Sequence, residues 1–329
     1  MTIYPSISGA LLFCAALSCS AQSLDPQDTR TATLKQAIQI ASQHGYKAAA
    51  LDWAKIEANA LAILAADDSE GALTASLEYV IAKLEDGHSA YRPPSASPPT
   101  TLPPAVARRP EIVASETAGD FPLVRVNAWT GQDAAAAREA SASLRSALNA
   151  ALSQEVCGLL VDFSSNSGGN MWPMLAGLLP IYEEGLLGAF EGADGQRTLI
   201  VSDGIGLSMG GKPHYLNVPA LPKPKHLPRH VAVLIGPRTA SSGEIVALML
   251  IAQDNSESFG AATAGRSSAN RVFPLANGGM LILTTAATVD RHGSKYWEPI
   301  APDHPAEDAK AAAVSWLSAQ CGAPPASRS

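Results

Sequence analysis

Three short stretches of this chain carry side chains that could perform acyl transfer: Arg238-Thr239-Ala240-Ser241-Ser242-Gly243-Glu244, Asp162-Phe163-Ser164-Ser165-Asn166-Ser167-Gly168-Gly169, and Leu84-Glu85-Asp86-Gly87-His88-Ser89. A serine at the entrance of a helix presents its hydroxyl outward, and the helix N-terminus favours negative charge developing beside it. Ser241 and Glu244, three apart, are equally a capping box, a device of many helices with no catalytic duty. Paired glycines behind a strand leave backbone N–H groups unshielded by a Cβ, as an oxyanion hole requires. Asn, Ser and Gly are also the residues of any strand-to-helix turn. A serine nucleophile needs a base, and the base needs a third group to orient it. The chain has seven histidines. His44 falls in a helical turn, His214, His226 and His230 in a loop or beside prolines, and His292 and His304 in late turns. His88 alone stands between a glycine and a serine at the junction of two modules, although a histidine at a helix end often serves only the helix dipole.

The elements around these stretches follow from periodicity. Residues 28–92 read as a helical module, with helices over Leu34–Gln43 and Trp53–Leu64 and a third capped by Asp68-Ser69. The third carries Leu73, Leu77, Val80 or Ile81, and Leu84 on one face. Residues 93–120 open with seven prolines between 93 and 110 and read as an extended linker or surface loop. From Phe121 to Cys321 strands alternate with helices. Gly158–Phe163 and Val231–Ile235 are continuous apolar runs of the kind buried on both faces of a parallel sheet. An Ala-rich helix spans Asp133–Leu152, and a second runs from Gly169 to about Tyr182. Residues 184–228 read as loops and short strands. A helix covers Ser242–Gln253, a late strand Met280–Thr285, and a closing helix Ala306–Ala319. The expected class is α/β, with ligands at the C-terminal ends of the buried strands.

Composition excludes several functions. A net charge of −7 with no run of Lys or Arg argues against nucleic acid or an anionic membrane as partner. No Cys/His spacing suggests zinc, since Pro228 between His226 and His230 prevents a helical ligand pair. No cofactor or metal is therefore expected. Residues 1–21 read as a signal peptide, with an apolar run from Ile7 to Leu17, too short to span a bilayer, and cleavage after Ala21. A lipidated Cys19 is the alternative. Export would leave Cys157 and Cys321 in an oxidising compartment, either paired or as two separate thiols.

Singly, each of the three stretches is ordinary; in order, they resemble the S41 peptidases of the tail-specific and tricorn type. Asp86-Gly87-His88-Ser89 matches the end of that family's N-terminal helical module. Leu160-Val161-Asp162 with Asn166-Ser167-Gly168-Gly169 matches its strand and Asn-x-Gly-Gly. Thr239 to Glu244 matches Thr-Ala-Ser-x-Gly/Ala-Glu, and Pro302-Asp303 matches a late Pro-Asp. The resemblance implies a ClpP/crotonase-like α/β core and peptide hydrolysis through an acyl-enzyme. It selects Ser241 over Ser242 as nucleophile and implies an oxyanion hole from the N–H of Ser242 and one from Gly168 or Gly169. One branch of the family keeps a lysine base about 25 residues after the serine. Here that region reads Thr263-Ala264-Gly265-Arg266-Ser267, and arginine cannot serve as a base. The histidine branch fits His88, with Glu298 as the orienting acid. Gly87 stands where that branch can have a serine, and Glu298 lies closer to Pro302-Asp303 than the family spacing. The segment after His88 is too short for a PDZ domain. The expected activity is exported peptide or protein hydrolysis. A non-catalytic peptide binder on the same fold and a small-molecule esterase or amidase are the alternatives.

Overall fold

A computed structural model describes residues 26–67, 69–94, 112–131, 133–214 and 223–322. The expected signal peptide, Cys19 and most of the Pro-rich stretch lie outside these residues. The N-terminal module is α1 (Pro26–His44), α2 (Trp53–Ala65) and α3 (Glu70–Ala82), followed by strand β1 (Ala90–Arg92). Asp52 and Ser69 cap α2 and α3 by accepting the N–H groups of Lys55 and Ala72. Strands β2 (Val113–Ala118) and β3 (Phe121–Val126) come next, then α4 (Ala134–Ala151), β4 (Gly158–Asp162) and α5 (Met171–Leu178). A meander follows: β5 (Gly185–Gly192), β6 (Arg197–Ser202), β7 (Leu207–Met209) and β8 (Lys212–Pro213). The chain continues through β9 (His230–Ile235), α6 (Ser242–Ile251), β10 (Ser256–Gly260), β11 (Ala269–Pro274) and β12 (Met280–Asp290). It ends with β13 (Lys295–Tyr296), β14 (His304–Pro305) and α7 (Ala309–Gly322).

Six strands form a sheet in the order β14-β10-β9-β4-β3-β2, parallel except for the β2–β3 pair. Successive side chains of a strand point to opposite faces, and here both faces are covered. Leu159, Val161, Val231 and Val233 pack with residues of α4, α5 and α6. Leu160, Ala232 and Leu234 pack with Ala313 and Leu317 of α7. That two-sided burial is why β4 and β9 read as unbroken apolar runs. A disulfide joins Cys157, just before β4, to Cys321 in α7.

The second sheet runs β1-β12-β5-β6-β7-β8, with β11 and β13 on the other edge of β12. One face of its β1-β12-β11 part is sealed by the helical module: Leu281 and Leu283 share a core with Leu34, Leu73 and Leu77, and Tyr91 and Phe273 pack against it.

Two expectations need correction. Residues 113–118, expected within a linker, form β2, because the Val113–Ala118 backbone finds a full partner in β3. Among the described residues of 184–228, the expected short strands are β6, β7 and β8, but β5 is longer, at eight residues, and positive-φ glycines at 195, 204, 210 and 211 mark the tight turns of the meander.

Candidate active site

Ser241 lies between β9 and α6 with φ 54° and ψ −125°, a backbone state that costs a non-glycine residue on the order of 1–3 kcal/mol. One carboxylate holds it there. Glu244 is fully buried, and its Oε2 accepts the N–H of Ser241 at 2.8 Å and of Arg266 at 2.8 Å. Its Oε1 accepts the Thr263 hydroxyl at 2.5 Å and the Gly265 N–H at 2.9 Å. The residue legible as a helix cap therefore also ties the 263–266 loop to the nucleophile turn.

The loop after β4 presses against that turn. Asn166, fully buried, accepts the Ala240 N–H through its carbonyl and the Gly168 N–H through Oδ1, both at 2.9 Å. Gly168 and Gly169 have φ of 98° and 112°, and a Cβ on Gly169 would stand 2.2 Å from the Trp129 carbonyl. Only glycine fits there. The structure separates the three expected oxyanion donors. The N–H of Gly168 is engaged by Asn166, whereas those of Gly169 and Ser242 donate to no acceptor among the described residues. The Ser242 hydroxyl donates to the Gly169 carbonyl at 2.7 Å and clamps the two loops together.

His88 arrives from the turn between α3 and β1. The Asp86 carboxylate accepts the N–H groups of His88 (3.0 Å) and Ser89 (2.7 Å) and the Ser89 hydroxyl (2.6 Å). Thr284 of β12 donates its N–H to Ser89 Oγ at 2.9 Å and its hydroxyl to Asn270 Oδ1 at 2.8 Å, and the Asn270 amide donates to the His88 carbonyl at 3.1 Å. The turn is thereby pinned to the β12–β11 hairpin. The imidazole Nε2 lies 3.1 Å from Ser241 Oγ, across 153 residues of sequence, and Nδ1 lies 2.9 Å from Ser268 Oγ. Burial lowers the His88 pKa below its usual 6.5; the Asp86 charge opposes the shift, Arg266 adds to it, and a hydrogen bond with the Ser268 backbone opposes it.

Glu298 is exposed on the loop after β13, while the atom facing His88 Nδ1 is the Ser268 hydroxyl. Ser268 and Asn270 were not singled out from sequence. Ser268 lies two residues after Arg266, in the segment where a lysine would otherwise stand, but a serine there carries no signal of its own.

Ser241, Ser242, His88 and Ser268 border a cleft of about 620 Å³, walled by Met171, Trp172 and Ile245 and floored by β1, β12 and β11. His214 stacks on Trp172 with ring centroids 3.9 Å apart, and burial lowers its pKa to about 4, so the ring packed on this wall residue is neutral near pH 7. Among the described residues no cluster of His, Cys, Asp or Glu could hold a metal ion, and no helix is long and apolar enough to cross a membrane.

The family model for peptidase family S41 matches residues 121–306. This chain belongs to peptidase family S41. His88 lies upstream of the matched residues, on a turn of the helical module. The S41 chain is 30% identical over 207 residues to the nisin-resistance protein of Lactococcus lactis subsp. lactis, covering 63% of each, so it spans under two thirds of that curated relative. Its fold is similar to that of a lipoprotein from Streptococcus agalactiae, with a TM-score of 0.72, 24% identity, and coverage of 89% of this chain and 97% of that one. It is also similar to the photosystem II D1 C-terminal processing protease, with a TM-score of 0.60, 13% identity, and coverage of 85% and 93%. The α/β core and N-terminal helical module expected from the sequence are those of an S41 fold.

Proposed function

We propose that this chain is an exported serine peptidase in which Ser241 attacks a peptide carbonyl and His88 is the general base. The observation that carries the reading is the 3.1 Å approach of His88 Nε2 to Ser241 Oγ. With its proton on Nδ1, donated to Ser268 Oγ, the ring presents a lone pair at Nε2 that accepts the Ser241 proton. Oγ bonds to the carbonyl carbon, and the N–H groups of Gly169 and Ser242 receive the oxyanion. The imidazolium returns its proton to the departing amine, leaving an acyl-serine that water cleaves by the same path. Ser268, rather than Glu298, orients the ring. The Cys157–Cys321 disulfide supports export, to the periplasm or outside the cell, because such bonds persist in oxidising compartments; the substrate in this reading is a peptide or protein.

A fluorophosphonate probe tests this. Labelling should fall on Ser241, disappear in Ser241→Ala, and slow by at least about 100-fold in His88→Ala. Absence of labelling in the folded wild-type protein would favour a non-catalytic peptide binder on the same fold.

A further inference from the structure

The cleft floor has an order that the acyl-transfer chemistry does not use. β1 and β11 both pair antiparallel with β12, one on each edge, so both run away from the dyad in the same direction. Register then sets three rows of side chains on the face turned away from the helical module. The first row is His88 with Asn270, whose hydrogen bonds meet over Thr284. The second is Ala90, Ile282 and Val272, paired across the sheet, an apolar strip in which Val272 is 57% exposed. The third is Arg92, Met280 and Pro274, also in register.

Arg92 is exposed and borders the cleft. Among the described residues no carboxylate pairs with it, and no acidic residue lines the cleft. The protein as a whole carries a net charge of −7, so a cleft whose fixed charge is positive is a local inversion. Low-dielectric walls such as Trp172 and Ile245 focus that field on a bound group.

We infer that Arg92 is a specificity-determining residue that selects peptides bearing a carboxylate three to five residues from the scissile bond. The spacing follows from the floor: the four residue steps from the His88 turn along β1 to Arg92 span at most about 13 Å at ~3.3 Å each. An extended peptide on this floor places an apolar side chain over the Ala90–Ile282–Val272 strip and its negative charge under the guanidinium. The fork of N–H donors on arginine suits a carboxylate, whether from Asp or Glu or from a free chain terminus. This inference rests on the peptidase reading for its scissile bond, but the charge preference is a property of binding alone.

The experiment therefore uses Ser241→Ala, which binds without turnover, and labelled decapeptides in which one position at a time is Glu, Gln or Lys, each with a free or an amidated C-terminus. Fluorescence anisotropy should show at least one position, or the free terminus, at which the carboxylate binds about fivefold tighter than its neutral counterpart, with the advantage shrinking in high salt. Adding Arg92→Gln should erase that advantage while leaving neutral peptides bound as before, and Arg92→Glu should transfer it to Lys. The free and amidated arms separate a terminal carboxylate from a side chain. Equal binding of Glu, Gln and Lys peptides at every position, no binding of any peptide, or a Glu preference that survives Arg92→Gln would overturn the inference. A preference seen in binding, with no cleavage by the wild-type protein, would instead overturn the peptidase reading and leave Arg92 in its role.

Discussion

Ser241 follows a strand buried on both faces of a parallel sheet, and its strained turn is fixed by Glu244, a carboxylate with no solvent exposure. His88 stands in a half-buried turn outside the matched S41 residues, fixed by hydroxyls, an amide and a partly exposed carboxylate at the end of an antiparallel sheet. The first arrangement places the reactive atom by making every alternative unfavourable, since unmaking a buried hydrogen bond costs far more than making it gains. The second places its ring by many small, replaceable contacts. Damage to the nucleophile region should therefore appear as lost stability, and damage to the base region as lost rate.

Glu244→Ala gives the largest expected effect. It strands the N–H groups of Ser241, Gly265 and Arg266 and the Thr263 hydroxyl, at a cost on the order of 3–5 kcal/mol. Thermal denaturation should fall by roughly 10 °C, at the usual 2–4 °C per kcal/mol for chains of this order of size. A shift of only a degree or two would erase the contrast between the regions. Ser268→Ala comes next and should act in the opposite manner. It removes one hydroxyl from Nδ1, lowering the rate of acylation about tenfold with a stability change of about 1 kcal/mol or less. The paired variant Glu298→Gln, on an exposed side chain, should leave the rate unchanged and stability within about 0.5 kcal/mol. If instead Glu298→Gln slows acylation and Ser268→Ala does not, the orienting group has been misassigned.

Much of this contrast follows how each region is written in the sequence. Leu159–Val161 of β4 and Val231–Ile235 of β9 are fully buried, so these runs are uniformly apolar and their ends mark the two catalytic loops. Glu244 was visible as a capping residue, but its second duty depends on Thr263 and Gly265, whose approach is a matter of tertiary contact. Ser268 was passed over for the same reason: a serine carries no signal of its own, and only the folding of the β11–β12 hairpin against the His88 turn gives it a partner. Glu298 was reached through family spacing, which fixes order along the chain and not which side of a loop a carboxylate faces. The Gly168–Gly169 pair was legible as a donor loop, yet which amide is free depends on where Asn166 turns its side chain. β2 stayed hidden because its middle is exposed and polar, without the apolar alternation that announces a strand.

The pairing of Ser241 with His88 is tested most directly by the pH dependence of the second-order rate of Ser241 labelling with a fluorophosphonate. Burial lowers the His88 pKa, so the ring stays neutral, and able to accept a proton, to a lower pH than a free histidine. The rate should fall with an acid midpoint below 6.5, and that limb should vanish in His88→Ala. A midpoint above 6.5, or the same limb in the absence of His88, would contradict the account.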